Sequence, residues 1–221
     1  NVLSGIGLNS NYYRPLLMAS FAVNYAVHHA QPLGWHIVNN LLHLANGLLL
    51  IALLLHWTKK SFVAFWTSLI FVIHPLQTEA VTYISGRGDP LAALFMLSAL
   101  LTFLRGRRFI PLFLLMLALL SRETAIMFPF LLMVVSMTVS RELFLRSLKK
   151  AFLSALPYFG IVVAYGILRL TILNFDNTLN FYAQSAAGPY TESILVRLYT
   201  FLSILPTYAR LLFVPLGQHM D

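Results

Sequence analysis

The chain has 221 residues, 59% of them hydrophobic and only 10% charged, with a mean hydropathy of +0.78 and a net charge of +8. That balance excludes a soluble globular domain, and the lack of cysteine excludes disulfides, thiolate catalysis and thiolate metal sites. The apolar runs are continuous rather than alternating, which excludes a β-barrel and predicts an all-α, polytopic membrane helical bundle.

The first apolar segment, 13–30, is interrupted by Arg14, Pro15, Asn24, His28 and His29. It reads as an interfacial helix rather than a span. Membrane spans are predicted at 36–57, 61–76, 88–105, 108–122, 124–140 and 151–171. The last apolar segment, 194–214, carries Arg197, Pro206 and Arg210, with Tyr199 and Tyr208 as interface residues; it is expected to lie along the outer surface or to re-enter. No repeat or soluble domain is visible, and the longest polar loop is 172–193. Residues 1–221 are expected to form one transmembrane domain. The start at Asn1 and the stop at Asp221, just after an apolar segment, read as those of a fragment.

Lys59-Lys60, then Arg105, Arg107 and Arg108, then Arg141, Arg146, Lys149 and Lys150 fall in every second loop. Charge in this pattern is a topology signal and places those loops in the cytoplasm. It is not the basic, aromatic-interleaved soluble face of a nucleic-acid binder, so no nucleic-acid partner is expected. The outer side then receives 1–35, 74–90, 121–124 and 172–193. The remaining basic residues, Arg14, Arg87, Arg122, Arg169, Arg197 and Arg210, lie in or near outward segments and are all arginine. Interfacial snorkelling accounts for single cases. As a set they suit bidentate recognition of phosphate or carboxylate.

The polar island from His74 to Pro90 holds Glu79 and Asp89, scarce carboxylates beside apolar spans. The strictly apolar cores Leu91–Leu104 and Phe109–Leu120 are shorter than the roughly 17–25 residues a span needs. To span, one helix must draw in Arg87 and Asp89, the other Arg122 and Glu123. The hairpin thereby brings two arginines and two carboxylates to one membrane edge, either as a structural ion-pair cluster or as a site. Asp89 before Pro90 also fits a helix N-cap, and Glu123 a cap or an Arg122 partner. His74 precedes Pro75, which ends or kinks the incoming helix; the histidine is then expected either to hydrogen-bond freed backbone carbonyls or to contact a substrate. His29, His36 and His43 recur every seven residues, with Asn39 and Asn46 nearby. Metal-binding helices use spacings of three or four, so a polar packing stripe is expected and no metal. No nucleotide-binding glycine pattern is present and no cofactor is expected.

Tyr12-Tyr13-Arg14-Pro15-Leu16, Asn24-Tyr25-Ala26-Val27-His28 and Gly34-Trp35-His36-Ile37-Val38-Asn39-Asn40 occur in that order. They are followed by the island His74-Pro75…Thr78-Glu79-Ala80-Val81…Ser85-Gly86-Arg87-Gly88-Asp89, by Leu120-Ser121-Arg122-Glu123-Thr124-Ala125 and by Arg210-Leu211-Leu212-Phe213-Val214-Pro215. This ordered set resembles the transmembrane-and-tetratricopeptide-repeat O-mannosyltransferases and their bacterial relatives. The resemblance implies a GT-C glycosyltransferase fold with outward-facing interfacial helices. It implies inverting transfer of a hexose, mannose foremost, from a polyprenyl- or dolichyl-phosphate donor at the outer face. The partners implied are that lipid-linked donor, an acceptor protein or glycan, and membrane lipids. Such enzymes carry an acidic motif in the first outer loop, whereas this chain has no Asp or Glu before Glu79. The base is therefore expected upstream of Asn1, and these residues alone are expected to be inactive.

Within this frame Glu79 and Asp89 are the candidate catalytic carboxylates. Arg87, Arg122, Arg14, His74, Glu123 and Arg210 are the candidate substrate contacts. The rival functions are a transporter or lipid flippase, whose charges line a pathway, and a non-catalytic scaffold of the same fold. Compact loops and the lack of Asn-x-Ser/Thr sequons favour a prokaryotic plasma membrane over the ER membrane.

Overall fold

A computed structural model describes residues 13–140, 143–171 and 194–213. The expected polar loop 172–193, and Tyr12, Arg141, Val214 and Pro215 of the loops and motifs above, lie outside them. The described elements are helical, with no strand among them: α1 (Pro15–His28), α2 (Pro32–Thr58), α3 (Ser61–Ile73), α4 (Thr78–Thr82), α5 (Gly88–Leu104), α6 (Ile110–Ser121), α7 (Phe128–Val139), α8 (Phe144–Thr171) and α9 (Ile194–Phe213). The expected all-α membrane bundle is thus present. Residues 14–168 form one compact unit, and the end of α8 with α9 belongs to another.

Three helical runs are long and apolar enough to cross a membrane: Pro32–Thr58, Ile84–Leu104 and Phe144–Arg169. A fourth is possible as a broken span, because α3 and the segment Pro75–Thr82 meet at a 53° bend. The cause of the bend is local. Pro75 has no N–H to continue the α3 ladder, and His74 is extended, with φ −67° and ψ 130°. The expected span 61–76 therefore stops at Ile73, and the expected kink at Pro75 is found. α8 begins at Phe144 rather than near 151, so Arg146, Lys149 and Lys150 sit on its first turns instead of in a loop. α6 is only 12 residues long, about 18 Å at the usual helical rise.

The α5–α6 turn explains why this pair forms a hairpin. Gly106 adopts φ +76°, its N–H donates to the Phe103 carbonyl, and the Arg107 N–H donates to the Thr102 carbonyl. This is a glycine-capped helix end that satisfies two terminal carbonyls. The apolar core lies between α5, α6, α7 and α8, with Leu100, Leu115, Leu119, Phe128, Leu132 and Tyr158 buried. The Tyr158 ring packs edge-on to Phe103 at 6.1 Å and tilted against Phe128 at 5.6 Å.

α2 is built the opposite way to a helix of a soluble protein. Leu33, Ile37, Leu41, Leu44 and Leu48 form an exposed stripe, while Asn39, His43 and Asn46 are buried. An exposed apolar stripe opposite a buried polar one suits a helix that meets lipid outside and polar neighbours inside. His43 Nε2 donates to the Val72 carbonyl at 3.0 Å, a group left without its helical donor by the α3 break. Asn46 Nδ2 donates to the Pro90 carbonyl at 2.8 Å. The expected polar stripe is real, but it runs through Asn39, His43 and Asn46, not through His29 and His36.

Candidate functional site

Three helix ends converge where the island meets α1 and α6. Built as a methyl, the Gly88 side chain would lie 3.5 Å from Leu17 Cδ2 and 3.6 Å from Arg122 Cδ. Here α5 starts, α6 has just ended and α1 begins. The other end of the same helices carries Lys59-Lys60 and Arg105–Arg108; the His56 side chain on the last turn of α2 lies 3.2 Å from the Leu104 carbonyl that closes α5. Basic loops and candidate site thus occupy opposite ends of the bundle.

Two ion pairs form the cluster. Arg122 Nη1 donates to Asp89 Oδ2. Arg14 donates to Glu123 Oε2 through Nε at 2.9 Å and Nη2 at 2.8 Å. The hairpin expectation holds for Asp89, Arg122 and Glu123, and the structure adds Arg14 from α1. It differs in detail. Arg87 and Asp89 are drawn into the continuous helical run Ile84–Leu104, as expected. Arg122 and Glu123 are not drawn into α6: Arg122 is extended, with φ −158° and ψ 144°, and Glu123 opens the 3-10 turn Glu123–Met127 that leads into α7. The extended backbone swings the Arg122 side chain across to Asp89. Its Nε and Nη2 have no partner among the described residues, and its side chain is 29% exposed.

Arg87 departs most from expectation. It is 0% exposed and joins neither ion pair of the cluster. Nε donates to Asn39 Oδ1 at 2.7 Å and Nη2 to Asn24 Oδ1 at 2.8 Å; longer bonds reach the carbonyls of Trp35 and Ser20. The guanidinium also lies 5.0 Å from the Phe21 ring centroid and 5.3 Å from that of Trp35. No carboxylate pairs with it among the described residues. The cage links α1, α2 and the 3-10 turn Ile84–Arg87. A guanidinium tolerates such burial because four of its N–H groups find acceptors and the ring faces attract the cation. Asn24 and Asn39 are the residues that sequence reasoning did not place as its partners. The signal was available in principle: an isolated Asn on an apolar helix needs a buried partner.

The remaining candidates separate. Glu79, on α4, is exposed and is in no ion pair among the described residues. His74 caps the 3-10 turn Pro75–Gln77, its Nδ1 accepting the Leu76 N–H at 3.2 Å. The ring thus serves the backbone at the break, but by accepting an N–H; the freed Val72 carbonyl is met by His43 instead of by His74. Arg210 lies exposed on α9, in the other unit.

Known proteins resemble the chain in sequence. Protein O-mannosyl-transferase F38B6.6 of Caenorhabditis elegans is 29% identical over 95% of this chain, which spans 30% of that protein. Protein O-mannosyl-transferase TMTC1 of Mus musculus is 40% identical over 42% of the chain and 10% of its own length. Protein O-mannosyl-transferase TMTC2 of Homo sapiens is 39% identical over 42% of the chain and 11% of its own length. The chain thus spans less than a third of the curated relatives it matches. No family model and no solved structure matches. These relatives are animal proteins, so the preference for a prokaryotic plasma membrane finds no support. The resemblance carried by the ordered motifs is borne out: this chain is similar in sequence to proteins named protein O-mannosyl-transferases.

Proposed function

We propose that the chain supplies the membrane half of the active site of an enzyme that moves mannose from a polyprenyl- or dolichyl-phosphate carrier to a protein hydroxyl. The observation that carries this reading is the convergence of Arg122–Asp89, Arg14–Glu123 and exposed Glu79 at the end of the bundle opposite the basic loops. By the positive-inside bias that end faces outward. The names of the relatives supply the transferred sugar and the protein acceptor.

In such a transfer the acceptor oxygen attacks the anomeric carbon and the bond from that carbon to the phosphate oxygen breaks. The bonding pair leaves with the lipid phosphate, and the acceptor proton passes to a carboxylate. Arg122 is suited to the phosphate: Asp89 fixes its fork, and its Nε and Nη2 remain as donors. Arg14, held by Glu123, adds positive charge beside it. Glu79 is the carboxylate not already committed to an arginine among the described residues, and it is the proposed group that orients the acceptor and relays its proton to the base expected upstream of Asn1. Asp89 is then a positioning residue rather than the base. Arg87 acts from the interior, holding α1 and α2 in place.

A transporter would set its charges near the middle of the span, whereas these stand at helix ends. Reconstituted full-length protein containing these residues should pass labelled mannose to protein from dolichyl-phosphate mannose and not from GDP-mannose. Glu79→Gln should slow that transfer by about a hundredfold, the lower end for loss of a proton-transfer group. Transfer straight from the nucleotide sugar, or full activity of the glutamine variant, would contradict the assignment.

A further inference from the structure

A cavity of about 490 Å³ opens at the basic end, between the α5–α6 turn and α8. Arg107, Arg108 and Ser154 line it, with Phe103, Leu112 and Tyr158. Its polarity is graded along the helix axes. The arginines lie in the turn; Phe103 is about one turn back into α5, and Leu112 about one turn on into α6. On α8, Tyr158 lies one turn beyond Ser154. The charge therefore sits at the outer end, beside the exposed Phe109 ring, and the surface deeper in is aromatic and aliphatic.

The same face of α8 continues outward. Arg146, Lys150, Ser154 and Pro157 recur at helical spacing, and Arg146, Lys149, Lys150 and Leu153 line an adjoining cavity. Neither Arg107 nor Arg108 has a side-chain hydrogen bond or ion pair among the described residues. The described carboxylates, Glu79, Asp89 and Glu123, all belong to the opposite end. Topology alone accounts for arginines in such a turn. It does not account for an open cavity that they line at one end and whose deeper lining, Phe103, Leu112 and Tyr158, carries no charge.

We infer that this cavity is a binding site for an anionic phospholipid of the leaflet on the basic side. The phosphodiester meets Arg107 and Arg108, with the Ser154 hydroxyl as a further donor, and the first part of an acyl chain runs along Phe103, Leu112 and Tyr158. Pro157 has no N–H for the Leu153 carbonyl, which leaves an acceptor on this face of α8 for a head-group hydroxyl. The site is separate from the proposed transfer chemistry and does not depend on it.

The test is lipid retention. Protein reconstituted in phosphatidylcholine nanodiscs with a minority of phosphatidylglycerol is released and its bound lipid counted by native mass spectrometry. The parent should retain phosphatidylglycerol over phosphatidylcholine. Arg107→Ala with Arg108→Ala should weaken retention about thirtyfold, as expected for two basic residues at a lipid surface. Ser154→Phe places a ring between the arginines and Tyr158, removes the hydroxyl, keeps every basic residue and should also lose the lipid. Lys59→Ala with Lys60→Ala removes equal charge from the same side and should leave retention unchanged. Equal loss in the lysine variant would reduce the effect to general surface charge and overturn the site. So would full retention in Ser154→Phe. Displacement of the lipid by millimolar inorganic phosphate would mean that the arginines read phosphate alone, and would equally overturn it.

Discussion

Arg87 lies within the polar island and Arg122 just after α6, and the sequence treats them alike. Their surroundings do not. Arg87 is enclosed by two asparagine oxygens, two carbonyls and two aromatic rings, so its removal leaves buried acceptors unmet. Arg87→Ala should destabilise the protein by about 3–5 kcal/mol, as for breaking a buried charged network. Thermal unfolding in detergent measures this, and an unchanged midpoint would show that the cage is not a structural tie. Arg87→Lys should restore little, because one ammonium cannot match the fork between Asn24 and Asn39. Hairpin reasoning put Asp89, Arg122 and Glu123 together because the position of the turn makes the far ends of α5 and α6 neighbours, although α6 stops short of Arg122 and Glu123. It could not separate edge from interior for Arg87, because the deciding partners lie 48 and 63 positions away on α2 and α1.

At the level of elements, the island is folded back on itself by a close approach. A methyl at Gly86 would lie 2.9 Å from the Glu79 carbonyl oxygen, a backbone atom that cannot turn aside. Gly86→Ala should therefore shift α4 and with it Glu79. It should cost about 1–3 kcal/mol, the usual range for forcing extra volume into a packed site. The unfolding midpoint and the transfer rate should both fall; a stable variant with parental activity would mean that α4 can move without consequence. The break ahead of it was legible because Pro75 dictates it. His43 to Val72 was not, since a helix break frees a carbonyl but does not say which neighbour will meet it. At the close of α1, His29 holds φ 49° and ψ −136°, a conformation suited to glycine. His29→Gly should raise stability by about 1 kcal/mol, read as a higher midpoint in the same assay.

Over the whole molecule, charge and hydropathy give the bundle a direction. Lys59-Lys60, Arg105–Arg108 and the start of α8 share one end, and the arginine–carboxylate cluster holds the other. The alternation of basic loops foretold this segregation, because opposite ends of consecutive spans must alternate. The start of α8 was placed too late, because positive charge reads equally well as a loop and as the first turns of a helix. The chain has no cysteine, so single introduced thiols report sidedness cleanly. A membrane-impermeant reagent should label Tyr83→Cys from the side opposite to Arg105→Cys. Labelling of both from one side would contradict the topology. The central claim is that this outward end handles a lipid-linked sugar phosphate through Arg122. It is tested most directly by mannose transfer from dolichyl-phosphate mannose to protein in reconstituted vesicles, comparing the parent with Arg122→Ala at equal folded amounts. The account predicts a fall of about a hundredfold or more, as for loss of a charge-stabilising donor, with the unfolding midpoint little changed. Transfer within about twofold of the parent would contradict it.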